Sequence, residues 1–131
     1  MTFRVYGTPV PQGSMRGFIR KGKKGGVILT SANTKTEPWR QDVAAQAIKA
    51  GVPHIALGPI QLHIIFFMPR PVSRPKKHTA PDVRPDLDKL ARAVLDALTG
   101  IAWRDDAQVC VLSATKVYAD HVGADISVEA L

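Results

Sequence analysis

The segment Ile60–Met68 constrains the fold of this chain more than any other stretch of the sequence. Its alternate residues build one apolar face: Ile60, Leu62, Ile64, Phe66 and Met68. The opposite face begins with polar residues and then becomes apolar at Ile65 and Phe67. A strand that is apolar on both faces is typical of the middle of a covered sheet. We therefore expect this strand to be central, or to be buried by another subunit.

The segments on either side of this strand predict the other elements of the fold. Thr2–Tyr6 alternates as a half-buried strand, Thr36 to Gly51 reads as a helix, and a second helix follows Pro85 and stops at Gly100. Residues 109–118 and 124–129 read as two more strands. Because helices alternate with strands and the last two strands are joined directly, we predict an α/β (α+β) fold. It is a single domain over residues 1–131, with a mixed sheet of about four strands and two main helices.

Charge narrows the partners that such a domain could have. The chain of 131 residues carries a net charge of +7, while six of its eleven acidic residues fall between Asp82 and Asp106. The remaining surface is therefore strongly basic, which favours nucleic acid as the partner and an anionic membrane surface as the second choice.

The remaining composition predicts where the protein resides. The lone Cys110 lies in an apolar run and reads as a buried small hydrophobic residue that can form no internal disulfide. No apolar run approaches the about 18–20 residues that span a bilayer, and the first residues read as a strand rather than a signal peptide. We expect a soluble cytoplasmic protein with no membrane partner.

Two basic segments interrupt the predicted elements. The first basic segment, residues 9–26, carries Arg16, Arg20, Lys21, Lys23 and Lys24. The second basic segment, residues 69–85, carries Arg70, Arg74, Lys76, Lys77 and Arg84. Both are rich in proline or glycine, so each can be a mobile surface loop, and each can also bind DNA phosphates. The two interpretations are compatible, and we predict DNA binding by both segments.

Two pairs of aspartates flank the second helix. The first acidic pair, Asp86 and Asp88, stands at the helix entrance, and the second acidic pair, Asp105 and Asp106, follows just past its end. Crowded carboxylates repel each other, so a cluster of four calls for a compensating cation. Oxygen ligands without His or Cys suit Mg²⁺ or Mn²⁺. The two pairs can meet if the chain turns at Gly100 and folds back along the helix. For Asp86 alone, a helix-capping role is the simpler interpretation.

Three cations near these carboxylates are candidates for stabilising a transition state: Lys89, Arg92 and Lys116. Arg92 can instead pair with Asp96, four residues on, and Lys116 can be a lysine at a strand end that reaches towards water. The four histidines lack metal-ligand spacing, and no glycine-rich phosphate loop is present, so we expect no small-molecule cofactor.

The string RPDLDKLARAVLDALTG, followed by DDAQV and a lysine, spans Arg84 to Lys116 and resembles the RusA family of Holliday-junction resolvases, which are often phage-encoded. The resemblance implies a small homodimer that uses Mg²⁺ or Mn²⁺ to nick opposed strands of a four-way DNA junction. It also implies metal binding by Asp86, Asp88 and Asp106, with Asp105 as a further candidate. A lysine on the helix is functional in the family. Here Arg92 stands one turn after Asp88, so the catalytic cation stays open among Lys89, Arg92 and Lys116.

The leading hypothesis is therefore a metal-dependent, structure-selective endodeoxyribonuclease that resolves Holliday junctions in DNA recombination and repair. The alternative from another class is a non-catalytic nucleic-acid-binding protein whose aspartates cap helices and pair with arginines. A third reading keeps the metal but changes the substrate to RNA or a flap structure. Dependence of cleavage on a divalent metal separates the first two readings, and competition among substrates separates the third.

Overall fold

The computed structural model of the chain describes residues 1–13, 15–19, 27–31 and 35–131, with the backbone alone for 15–19 and 27–31. The elements follow in this order: β1 (Thr2–Tyr6), β2 (Met15–Ile19), β3 (Val27–Ser31), α1 (Thr36–Ala50), β4 (Ile60–Met68), α2 (Leu87–Leu98), a short 3-10 helix (Asp106–Gln108), β5 (Val109–Tyr118) and β6 (Gly123–Ala130).

Four of the strands form one mixed sheet in the order β1-β6-β4-β5. β4 pairs in parallel with β5 and antiparallel with β6, and β1 pairs antiparallel with β6. β2, in the first basic segment, pairs antiparallel with β3, which follows that segment, and the two strands form a separate sheet. The predicted single α+β domain, with a mixed sheet of four strands and two helices, is confirmed. β4 has a strand on each side, as its apolar sequence requires.

The hydrophobic core lies between the sheet and the two helices. All five apolar residues on one face of β4 are buried, and they meet buried residues of α1 and α2. Ile65 and Phe67, on the other face of β4, are only half-buried. There Arg4 forms a salt bridge with Asp125 and lies 5.1 Å from the centre of the Phe67 ring. The carboxylate of Asp125 raises the pKa of Arg4 through its hydrogen bond and its charge. A polar cross-strand pair thus covers part of the second face.

The connection from β4 to β5 determines where the two acidic pairs lie. Parallel neighbours need a crossover, and α2 provides it by running back along the sheet between them. Its first residue therefore lies near the ends of β4 and β5, where Met68 is paired with Tyr118. Its last residue lies near their beginnings, where Ile60 is paired with Val109. The two acidic pairs consequently belong to opposite ends of the sheet.

Two smaller expectations are wrong. Cys110 is exposed rather than buried, because β5 is an edge strand and the register shifts so that Cys110 has no partner between the Ile60–Val109 and Gln61–Val111 pairs. Arg92 makes no ion pair with Asp96, whose carboxylate instead pairs with Arg40 at 3.9 Å. Arg40 comes from α1, which packs against α2, so a tertiary contact replaces the local one.

Candidate functional site

Asp86 occupies the N-cap position of α2, as its sequence position suggested. Its backbone is extended, with φ −68° and ψ 136°, and its carbonyl oxygen accepts the amide of Leu90 at 3.1 Å. The side chain makes no capping hydrogen bond, and 56% of it is exposed. The interpretation of this carboxylate as a helix cap is therefore wrong. Pro85 and the extended backbone turn it outward, where it is available to a ligand.

The other charged residues at the start of α2 share its outer surface. Lys89 Nζ lies 3.7 Å from Asp86 Oδ2, and the Lys89 backbone carbonyl accepts the amide of Gln12. Asp88 and Arg92 are both exposed and stand one turn apart, and neither has a side-chain hydrogen bond or ion pair within the described parts of the chain. The amino end of α2 also favours negative charge, because the helix dipole is positive there.

Lys116 connects β5 to the segment that enters α2. Its amino group donates hydrogen bonds to the carbonyl oxygens of Val83, at 2.8 Å, and Pro85, at 2.9 Å. It lies on the helix-covered face of the sheet, opposite Phe66, and is half-buried. The amino group thus reaches backbone carbonyls rather than ending in open water. It holds the residues immediately before Asp86 against the sheet, which makes it a positioning residue for that carboxylate.

An open cleft of about 650 Å³ lies beside Asp86. Its walls combine six prolines from the two basic segments and their flanks with charged residues: Arg84, Asp86, Lys89, Lys116 and Lys35. The cations attract an anion. The cleft therefore offers one exposed carboxylate among several positive charges, which is a suitable environment for a phosphate next to a bound cation.

Two arginines of the second basic segment stabilise the loop itself. The Arg70 guanidinium lies 4.4 Å from the centre of the Tyr118 ring and donates to the carbonyl oxygens of Pro75, at 3.1 Å, and His78, at 2.6 Å. Arg74 lies 6.0 Å from the same ring and pairs with Asp82. These contacts fold residues 69–85 onto the end of β5. Both side chains already have partners, so DNA binding by them stays a prediction.

The other predicted DNA contacts divide between described and undescribed residues. Lys76, Lys77 and Arg84 are exposed and form no ion pair among the residues that the structure describes. Arg16 lies in β2, opposite Thr30, with its backbone alone described. Arg20, Lys21, Lys23 and Lys24 lie outside the described residues. DNA binding by all of them stays a prediction.

The second acidic pair begins the 3-10 helix that leads into β5. Asp105 is its N-cap, and its side chain accepts the amide of Ala107 at 2.9 Å. The Gln108 carboxamide oxygen accepts the amides of Arg104 and Asp105, and its nitrogen donates to the carbonyls of Ile55 and Gly58. Sequence reasoning missed Gln108, although an Asp followed three residues later by a Gln is a recognisable capping box.

Asp106 differs from its neighbour. It is exposed, and its side chain forms no hydrogen bond or ion pair with any described residue. Asp105 therefore has a structural role, whereas the carboxylate of Asp106 is free for another one.

The structure does not bring the two acidic pairs together. The described residues contain no group of three or more His, Cys, Asp or Glu that could hold a metal ion. The eight steps from Ile60 to Met68 along β4 cover about 26 Å, and α2 separates the pairs by nearly the full length of the sheet. The expected folding back of Asp106 onto Asp86 is thus wrong within one chain. The roles of these aspartates in metal binding stay a prediction.

Comparison with known proteins assigns the chain to a family. The family model described as endodeoxyribonuclease RusA matches residues 7–129. A protein of Bacillus subtilis (strain 168), described as uncharacterized protein YqaN, is 32% identical over 136 residues, covering 96% of this chain and 93% of its own. This chain belongs to the RusA family of endodeoxyribonucleases. Among the residues that the structure describes, no helix has the length and apolar character needed to cross a membrane.

Proposed function

We propose that this protein is a metal-dependent endodeoxyribonuclease that resolves Holliday junctions during DNA recombination and repair in the cytoplasm. The observation that carries the proposal is the start of α2, where Asp86 and Asp88 are exposed beside Lys89 and a cleft with a basic wall. Family membership supports the nuclease activity. The net charge of +7 supports a polyanionic substrate.

We further propose Mg²⁺ or Mn²⁺ as the cofactor. One chain supplies only the first acidic pair at this place, and no described third carboxylate completes a metal group. Two carboxylates suit Mg²⁺, because that ion keeps several waters and is commonly bound by one or two carboxylates together with substrate phosphates. A bound divalent ion supplies Lewis-acid activation of the phosphodiester. Asp86 and Asp88 are the residues of this chain that would hold it.

The remaining residues of the site have different tasks. Lys89 and Arg92 lie on the outer surface of α2 and can contact a phosphate whose charge increases in the transition state. Lys116 is engaged by two carbonyls, and we assign it to positioning the segment before Asp86. Lys76, Lys77 and Arg84 extend the positive surface beside the cleft and can bind the flanking phosphates. Binding and chemistry are thus assigned to separate groups.

The experiment that tests the proposal measures cleavage of a labelled four-way DNA junction with Mg²⁺, with Mn²⁺ and with EDTA. The variants are Asp86→Asn and, as a matched control, Asp96→Asn, which removes an exposed carboxylate nearly three turns further along the same helix. We expect paired nicks that require metal, disappear in Asp86→Asn and persist in Asp96→Asn. Junction binding by Asp86→Asn should be unchanged or tighter, since a repulsive charge is removed.

Other results lead to other conclusions. Tight binding without cleavage under either metal would make the protein a non-catalytic DNA-binding member of its family. Equal cleavage of flap, duplex or RNA competitors would retain the nuclease and reject the junction as its preferred substrate.

A further inference from the structure

The cleft beside Asp86 is larger and more apolar than a phosphate with a bound cation requires. Its volume of about 650 Å³ lies within the range of about 300–1,000 Å³ that is typical of small-molecule sites. Apart from Thr8 and the charged residues, its described lining consists of six prolines with Val10, Met68, Val83 and Tyr118. Phosphates and metal ions need polar partners, so apolar walls indicate that a second, less polar group of the ligand binds here.

The walls of the cleft are held in place by hydrogen bonds. The amide of Gln12 donates to the carbonyl of Lys89 at 2.9 Å, and Thr36 Oγ1 donates to the carbonyl of Pro11 at 2.8 Å, so the segment before Gln12 is tied to both helices. Lys116 holds the segment that enters α2 through its two hydrogen bonds to carbonyls. Proline rings fix φ and stiffen these walls further. A preformed cleft of this kind binds a rigid ligand with little loss of conformational freedom.

We propose that the apolar part of this cleft binds an unstacked nucleobase from the nucleotide next to the phosphate that is cut. The proposal deepens the nuclease function proposed above and rests on it. A nucleotide combines the two chemistries that the cleft offers, because its phosphate is anionic and its base is a flat ring with two stacking faces. Proteins that take bases out of the stack contact them with apolar side chains, and proline is among the side chains that separate stacked bases.

A site for an unstacked base also provides a way to select branched DNA. Taking a base out of the stack costs free energy, and the cost is smallest for a base whose pairing or stacking is already disturbed. Bases at the exchange point of a junction meet that condition, whereas bases within a continuous duplex do not. Phosphate contacts occur on duplex and junction alike and mainly position the protein. The base site therefore adds a preference that the basic surface alone does not supply.

Removal of the base tests the proposal on the substrate side. In a labelled four-way junction, the nucleotide on each side of the cut is replaced in turn by an abasic analogue that keeps the phosphates. One of the two replacements should lower the single-turnover rate, measured below saturating protein, by about 10-fold, as for the loss of one base-stacking contact. The same replacement far from the branch should leave the rate unchanged. Equal rates with all of these junctions would overturn the proposal.

A filled cleft tests the proposal on the protein side. Val83→Trp places a large side chain in the cleft, because Val83 lines it and is 41% exposed. Val72→Trp is the matched control, since Val72 is fully exposed in the same basic segment and is not among the lining residues.

The two variants should respond differently to the abasic junction. Val83→Trp should cut the intact junction about 10-fold more slowly than the wild-type protein, and it should lose no further rate when the base is removed. Val72→Trp should match the wild-type protein on both junctions. If the losses from Val83→Trp and from base removal instead add, the side chain and the base act independently, and the proposal would fail.

A fluorescent base tests binding without cleavage. 2-Aminopurine, which brightens when it leaves the stack, is placed at the nucleotides of the exchange point, and protein is added in EDTA until junction binding saturates. The wild-type protein and Val72→Trp should increase the fluorescence, and Val83→Trp should not. No increase with the wild-type protein, or an equal increase with Val83→Trp, would show that no base enters the cleft. If the wild-type protein cuts no junction, the proposed function fails, and this fluorescence alone decides whether the cleft binds a base.

Discussion

The two acidic pairs look alike in the sequence and behave differently in the structure. At the start of α2, Asp86 stands at a helix N-cap without making a capping bond, and Asp88 is exposed beside it. Before β5, Asp105 makes the capping bond and Asp106 does not. Asp86, Asp88 and Asp106 thus make no capping hydrogen bond. The comparison teaches that a carboxylate at a helix start is a functional candidate only when its side chain has not been used as the cap.

The surroundings of the two pairs also differ. Lys89 and Lys116 lie at the first pair, which borders a cleft with a basic wall. The second pair borders the polar network of Gln108, which connects it to the backbone of residues 55 and 58. The first environment attracts an anionic substrate, and the second fixes a turn. Within one chain the two environments lie at opposite ends of the sheet.

The largest expected effect separates the two members of the second pair. Asp106→Asn should reduce metal-dependent junction cleavage by at least about 10²-fold, comparable to losing one group that stabilises transition-state charge. Asp105→Asn should leave the rate within about twofold, because asparagine caps a helix as well as aspartate does. Rates are measured under single-turnover conditions with Mg²⁺. Equal losses in the two variants would erase the distinction that the structure makes between them.

A smaller loss is expected at the other end of the sheet. Lys116→Met removes both hydrogen bonds to the segment before Asp86, and we expect cleavage to fall by about 10- to 100-fold, as when a group that orients a metal ligand is removed. Junction affinity should change little, since the amino group is already engaged. Lys116→Arg, which can still reach a carbonyl, should recover part of the rate. A Lys116→Met variant that binds weakly and cuts at the normal rate would instead identify this lysine as a DNA-binding residue.

Stability provides a further way to distinguish the two members of the second acidic pair. Asp105→Ala should lower the free energy of unfolding by about 1 kcal/mol through loss of the cap, whereas Asp106→Ala should leave it unchanged. Gln108→Ala removes hydrogen bonds to both flanking segments and should cost about 1–2 kcal/mol. Urea unfolding at one fixed protein concentration makes the comparison valid even if the protein dimerises. A destabilised Asp106→Ala variant would show that this carboxylate also contributes to the stability of the fold.

The smallest effect is expected in the second basic segment. Replacing both Lys76 and Lys77 with Gln should weaken junction binding a few-fold and lower the slope of log affinity against log salt by about 1.8, because each phosphate that is no longer neutralised lowers it by about 0.9. The thermal midpoint should stay unchanged. Arg74→Gln should lower the thermal midpoint and leave the salt slope unchanged. The reason is that the Arg74 guanidinium pairs with Asp82 and packs on Tyr118. If all three changes act alike on the salt slope, the loop arginines bind DNA as well.

Much of the fold could be predicted because it depends on local patterns. The apolar residues on both faces of Ile60–Met68 predicted a central strand, and β4 is central. The helical spacing after Pro85 predicted α2, and the direct connection of the last two strands predicted a mixed sheet. The exposure of Cys110 could not be predicted, because it depends on β5 being an edge strand with a shifted register. No local pattern reveals which strand of a sheet has no outer neighbour.

The features of the candidate site also divide into those that local sequence predicts and those that depend on tertiary structure. The amino-acid sequence by itself determined the acidic pairs, the cations of α2 and the family resemblance, because these are properties of residue type and spacing. Tertiary structure alone decided that Asp105 caps a turn, that Lys116 holds Pro85, and that Asp106 lies at the far end of the sheet from Asp86. The physical reason is that a parallel crossover sends its helix back along the whole sheet. Residues that flank the helix closely in sequence are therefore separated by its full length in space.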